Sequence, residues 1–191
     1  MSIVSIAACQ SYDLEAVYRA LVASLEPFGG LAAFVKPGQR VLLKPNLLMP
    51  VRPERAATTH PAVVEAVAKR VREIGGEPFV AESPGGPLHT NVLMQRLYRE
   101  TGLQEVADRM GLELRTEATA VQVSTPDGVL LKRLDLLAAY READVIISLP
   151  KLKTHNLTAI SGAVKNLFGL VPGMTKPAYH TKLPDVDSFC D

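Results

Sequence analysis

The chain has no tryptophan, only five phenylalanines and five tyrosines, and two cysteines among its 191 residues. Cys9 and Cys190 lie at opposite ends with no Cys-x-x-Cys spacing, which excludes a self-contained iron–sulfur cluster or cysteine-rich zinc site and gives no disulfide framework. A cytoplasmic location, with reduced thiols, is the expectation. Long apolar runs are missing too. No stretch approaches the ~20 apolar residues of a membrane span, and the apolar residues 3–9 lack the basic flank and length of a signal segment. The formal net charge of +1 is far from the basic balance that broad nucleic-acid binding needs. Walker A, Gly-x-Gly-x-x-Gly and His-Glu-x-x-His patterns are absent, so P-loop, Rossmann dinucleotide and zinc-protease readings find no support.

One further absence is local. Between Asp144 and Asp185 there is no Asp or Glu, whereas Lys151, Lys153, Lys165, Lys176, Lys182, His155 and His180 all fall in that interval. Basic groups without a local counter-charge commonly face an anion, so this stretch points to a small anionic ligand, a phosphate or carboxylate.

What is present is an alternation of strand and helix signals. Residues 2–8 read as a first strand. Asp13 is placed to cap a helix carrying Leu14, Val17, Leu21 and Leu25 on one face. Arg40–Lys44 reads as a strand ending in Lys44-Pro45-Asn46. Thr58-Thr59-His60 then precedes a helix opened by Pro61, whose buried face is Val64, Val67, Val71 and Ile74 and which Gly75-Gly76 stops. Phe79–Ala81 is the next strand, running into Glu82-Ser83-Pro84-Gly85-Gly86. Residues 91–110 are helical with a break near Gly102. Residues 112–133 form an antiparallel excursion around Pro126-Asp127-Gly128, a short helix is expected over 135–142, and Val145–Leu149 is a strand that breaks at Pro150. This predicts an α/β fold over 1–191, a single domain with a mostly parallel sheet, flanking helices and an open crevice at the strand C-terminal ends. Lys44-Pro45-Asn46, Glu82-Ser83 and Lys151 to His155 each follow a strand, so that crevice is expected to collect them.

Past His155 the pattern predicts a helix with Asn156 as its cap. Thr158, Ser161 and Lys165 lie on one face, and Leu157, Ile160, Val164 and Leu167 are buried on the other. Gly162 beside the polar stripe leaves room for a ligand or a neighbouring backbone. Lys44, Asn46, Lys151, Lys153, Ser161, Gly162 and Lys165 are therefore the candidate ligand-binding residues, although a strand-end lysine such as Lys44 can equally pair with a buried carboxylate. Thr58-Thr59-His60-Pro61 reads as a helix cap, and Glu82-Ser83-Pro84-Gly85-Gly86 as either a metal or hydroxyl site or a turn. His89, His155 and His180 all fall in expected loops, where imidazole can move a proton or bind a metal near neutral pH.

Val41-Leu42-Leu43-Lys44-Pro45-Asn46-Leu47-Leu48, Thr58-Thr59-His60-Pro61, Glu82-Ser83-Pro84-Gly85, Leu149-Pro150-Lys151-Leu152-Lys153-Thr154-His155, Ser161-Gly162-Ala163-Val164-Lys165-Asn166 and Gly169 together resemble the family known as domain of unknown function 362. The likeness runs along nearly the whole chain. It implies kinship with proteins that often carry a ferredoxin-like module holding two iron–sulfur clusters. That module is absent from this sequence, and the family domain is expected to continue past Asp191. A more distant resemblance is to the nickel-pincer lactate racemases. His155 precedes Lys165 by ten residues with Ser161-Gly162 between them, as in the Pro-His, Ser-Gly-Gly, Lys segment of that family, with Ala163 in place of its second glycine. That likeness implies a cofactor tethered to Lys165, nickel on His180, and His89 and His155 moving a proton at a 2-hydroxy acid. The functions implied are a redox-related enzyme domain on an anionic cofactor or substrate, a nickel-pincer racemase or hydride-transfer enzyme, or a non-catalytic module that binds an anion or docks on a redox protein. The chemistry would be that of an oxidoreductase or an isomerase. An uncovered sheet edge would also favour a homo-oligomer.

Overall fold

The structure, a computed structural model, describes residues 3–84, 90–155, 158–173 and 175–183. In chain order the elements are α1 (Leu14–Leu25), β1 (Arg40–Pro45), α2 (Pro61–Glu73), β2 (Glu77–Val80), α3 (Asn91–Glu100), α4 (Leu103–Met110), β3 (Glu113–Leu114), β4 (Ala120–Ser124) and β5 (Arg133–Leu137). They continue with α5 (Ala139–Glu142), β6 (Val145–Leu149), β7 (Lys153–His155), β8 (Ala159–Ser161), α6 (Ala163–Leu167) and α7 (Lys176–Lys182). A four-stranded parallel sheet runs in the order β3-β2-β1-β6, and β4-β5 and β7-β8 are antiparallel pairs beside it. The fold is the expected α/β class.

β1 is the spine. Val41, Leu42 and Leu43 are fully buried because the strand is covered on both faces, which is why it reads as an unbroken apolar run. Val41 and Leu43 point into a core with Val64, Val67 and Val71 of α2, and with Met94, Leu97 and Tyr98 of α3. Leu42 points the other way, against Phe79, Leu136, Leu137, Leu170, Val171 and Tyr179. The second face is therefore covered by the β4–β5 ribbon and the segment after α6 rather than by long crossover helices. By the same alternation Lys44 points to the Leu42 side.

Local signals account for several boundaries. Asp13 Oδ1 accepts from Ala16 N at 3.1 Å and caps α1. Pro61 opens α2 where no N–H is needed, and Gly102 separates α3 from α4 at a left-handed φ of 74°. The helix cap in Thr58-Thr59-His60 is His60, whose Nδ1 accepts from Ala62 N at 3.2 Å.

Four expectations are corrected. Residues 3–10, most of the strand expected over 2–8, form none: Ile3, Val4 and Ile6 are 60%, 82% and 91% exposed, and a short apolar run makes a strand only where a partner exists. Glu113–Leu114 pairs parallel with β2, so it belongs to the main sheet instead of the antiparallel excursion. Arg133–Leu137 is a strand against β4, and only Ala139–Glu142 is helical. The helix expected after His155 is a hairpin, with Lys153, Thr154 and His155 opposite Ser161, Ile160 and Ala159, and α6 begins only at Ala163. Ile160, Val164 and Leu167 are accordingly 59%, 82% and 42% exposed. β-Branched Thr154 and Ile160, which face each other in the pairing, suit it better than a helix. Asn156, Leu157 and His89 lie outside the described residues.

Candidate functional site

β1, β2 and β6 all end at one edge, and the polar motifs that follow them converge there. Lys44 and Pro45 pair with Ser148 and Leu149. Thr59 ties the two strand ends together: its Oγ1 accepts from Asn46 N at 2.8 Å and donates to Leu149 O at 2.6 Å. Asn46 Oδ1 in turn accepts from Lys153 Nζ at 2.7 Å, which also donates to Ala57 O.

Beneath this edge lies a buried polar knot. Lys44 is 0% exposed and Glu82 4% exposed, and Lys44 Nζ donates to Glu82 Oε2, to Pro45 O at 2.7 Å and to Asn166 Oδ1 at 3.3 Å. Asn166 of α6 returns a bond from Nδ2 to Lys44 O at 2.7 Å and another to Ser148 Oγ at 3.1 Å. Glu82 Oε1 accepts from Ser83 N at 3.0 Å, Ser83 Oγ accepts from Gly173 N at 2.7 Å, and buried Lys176 donates to Ser83 O. Gly169 sits so close that a Cβ there would lie 2.2 Å from Glu82 Oε1 and 2.4 Å from Lys44 Nζ. Burial pulls Lys44 down and pushes Glu82 up from their ordinary values, each toward its neutral form, while their mutual attraction opposes that. The three ammonium and carboxylate groups satisfy one another and the local backbone. Lys44 therefore backs the site and holds α6 in place.

In front of the knot the basic groups gather. Burial first, then the Lys165, Lys153 and His180 charges, hold His155 below the usual imidazole range. Burial, then Lys165 and Lys176, do the same to His180, and burial, then Lys165 and Lys151, lower Lys153. Lys153, His155, Lys165 and His180 therefore lie near enough for their charges to act on one another, and neutral imidazoles there are competent proton acceptors. His180 stacks edge-on against Phe168, ring centroids 5.5 Å apart. Lys151 turns aside to Tyr12, whose hydroxyl is 3.4 Å from its Nζ and whose ring lies 3.7 Å from and parallel to His60. Ser161 is buried opposite Lys153. Gly162 makes no close approach, since an added Cβ would meet nothing within 4 Å. Among the described residues no group of three or more His, Cys, Asp or Glu side chains is arranged to hold a metal ion. Also among them, no helix is long and apolar enough to cross a membrane.

Sequence reasoning brought the motifs after β1, β2 and β6 to one sheet edge, as the parallel pairing has them, but missed the roles of Asn166, Gly169 and Lys176. Lys176 stood out only as one of the acid-free basic groups, and Asn166 and Gly169 only within the family-like segments, because their partners Lys44, Glu82 and Ser83 lie some 80 or more positions away.

The sequence model of the family described as Domain of unknown function (DUF362) matches residues 41–190, from the start of β1 past α7. The chain belongs to this family. This DUF362 chain is 42% identical over 177 residues to the thylakoid-associated protein sll1697 of Synechocystis sp., an alignment covering 93% of this chain and 53% of that protein. The chain thus spans about half the length of the curated relative it matches. No solved structure matches it.

Lys176 supplies a pH signature for the DUF362 chain. Burial is the main cause that lowers it to about 8, with the Lys44 and Lys165 charges adding and Glu82 opposing. A lysine whose folded value lies below its unfolded one binds fewer protons when folded, so stability rises with pH between the two values. Between pH 8 and 9.5 this group alone is expected to add about 1.5 kcal/mol of unfolding free energy. Urea denaturation at both pH values checks it: the rise should be smaller by about that amount in Lys176→Met, and an equal rise in the variant would refute the assignment.

Proposed function

We propose that the DUF362 chain binds a small anion, a phosphate or carboxylate, in the crevice at the C-terminal edge of its parallel sheet. The observation that carries this is the gathering of Lys153, His155, Lys165 and His180 beside that edge, where Lys153 reaches Asn46 and the β7–β8 hairpin leads into α6, in a segment without Asp or Glu from residue 145 to 184. The nearby carboxylate, Glu82, is already engaged by Lys44. In this reading Lys153 and Lys165 supply charge, Asn46 and Ser161 orient the lysines, and His155 moves a proton to or from the bound ligand. An anion in a half-buried site with several cations gains more per contact than it would in water. Titration calorimetry with inorganic phosphate and with lactate tests it. Lys165→Ala and Lys153→Ala are each expected to weaken binding about tenfold, the value of one charge-assisted hydrogen bond. Binding of both probes that is unchanged in both variants would sink the proposal.

A second reading is favoured by one observation, the shared neighbourhood of Lys165, His155 and His180. It makes Lys165 a covalent tether for a nickel-pincer cofactor, which would supply hydride transfer at a 2-hydroxy acid when bound, with His180 as the protein's metal ligand and His155 as proton acceptor. Because the described residues offer no larger metal-ligand cluster, the remaining donors would have to come from the cofactor. Intact-mass measurement and nickel analysis of natively purified protein decide it: an unmodified, nickel-free Lys165 refutes the tether. The relative's description as thylakoid-associated supports a membrane-adjacent context as the alternative to the cytoplasmic one.

A further inference from the structure

A cavity of about 670 Å³ opens beside the cationic crevice, between the β4–β5 ribbon and the β8–α6 corner. Its walls include Leu130, Leu134, Val164, Leu167, Phe168 and Tyr179, and among the described residues no Asp or Glu lines it. Lys165 lines it as well, and the same Lys165 charge acts on His155, His180 and Lys153 in the crevice. The volume lies within the ~300–1,000 Å³ of small-molecule sites, and such sites combine mostly apolar walls with a few polar groups. Leaving Val164 and Leu167 82% and 42% exposed on the wall of a concave site is costly in water unless something apolar covers them. Charge complementarity then selects the occupant's polar end, because the charge contributed by the described lining is a cation, Lys165.

We infer that the DUF362 chain takes an amphipathic anion, its carboxylate or phosphate on Lys165 and an acyl or similarly long apolar body in this cavity. The inference rests on the anion site proposed above and names the ligand class for it. A hydrophilic anion such as lactate would fill the crevice alone, whereas an acyl anion fills the crevice and the cavity together. The lining accommodates change: Val164 and Leu167 are exposed enough to be replaced without loss of a core contact.

Titration calorimetry with hexanoate, octanoate and decanoate, with inorganic phosphate as a head-group probe and decyltrimethylammonium as a charge-reversed control, tests the assignment. Affinity should rise about threefold to fourfold per added methylene, as burial of each CH₂ predicts. Decanoate should bind at least tenfold more weakly to Lys165→Met, and the cationic control should not bind. Val164→Gln and Leu167→Gln should flatten the chain-length dependence and leave phosphate affinity unchanged. Phosphate binding with no chain-length dependence overturns this inference and leaves the anion site standing. Decanoate binding that ignores Lys165→Met, with phosphate unbound, overturns the anion site itself. Equal binding of the cationic control removes the head-group assignment. Sedimentation with phosphatidylglycerol vesicles but no binding of monomeric decanoate replaces the cavity ligand with a membrane surface and overturns the proposal.

Discussion

Glu82→Gln is expected to lower the unfolding free energy of the DUF362 chain by about 3–5 kcal/mol, the usual cost of removing one partner from a buried ion pair. The substitution keeps the side chain's size, so no cavity contributes. What it removes is the negative charge between two buried ammonium groups, Lys44 at 0% and Lys176 at 8% exposure. Neither can reach water without opening the sheet edge. Both must then lose their protons or the local structure must give way, and either route costs free energy at neutral pH. The penalty belongs to the broken pair and says little about what the intact pair contributes. Lys44→Met in the Glu82→Gln background should therefore recover part of the loss, because it removes the uncompensated charge along with its partner. Urea denaturation followed by far-ultraviolet circular dichroism measures all three variants. A loss below about 1 kcal/mol for Glu82→Gln would show that the pair is not buried as described.

Gly169→Ala is expected to cost about 2–3 kcal/mol through overpacking. The new methyl group would sit 2.2 Å from Glu82 Oε1, 2.4 Å from Lys44 Nζ and 2.5 Å from Lys44 Cε. The ends of long side chains normally swing away from such a clash. Here they cannot do so cheaply, because both are buried and each is held by several hydrogen bonds. Shifting them weakens the bonds that fix Asn166, and with it the helix that carries Lys165. Anion affinity should consequently fall together with stability. Gly162→Ala is the control, since its added Cβ meets nothing within 4 Å and its φ of −151° suits any residue. That variant should be neutral or stabilise by a few tenths of a kcal/mol. Equal losses at both glycines would mean that backbone freedom, and not the contact with the ion pair, explains Gly169.

Much of the frame was legible because it rests on local rules. The buried run Val41 to Leu43 announces a central parallel strand, Asp13 and Pro61 mark helix starts, and Gly102 marks a helix break, all through residues within one turn of one another. The crevice was legible for a related reason, since polar motifs that follow parallel strands must meet at the same sheet edge. The stretch around His155 was not. Its spacing fits a 3.6-residue period and a hairpin about equally well over so few residues, and the decision came from pairing between Lys153 and Ser161. Residues 3–10 show the same limit from the other side: a short apolar run was present, but among the described residues no strand pairs with it.

That the segment after β6 is rich in lysine and histidine and free of acid from residue 145 to 184, and that it follows a parallel strand, comes from the order of residues alone. Whether a given lysine faces a ligand or a carboxylate does not. Lys44 and Lys165 are the same residue type, each just past or near a strand end. The fold buries one against Glu82, which lies 38 positions away in the chain, and sets the other between the basic crevice and an apolar cavity. A charge is stabilised or exposed by what surrounds it in space, and those surroundings come from segments far apart in sequence.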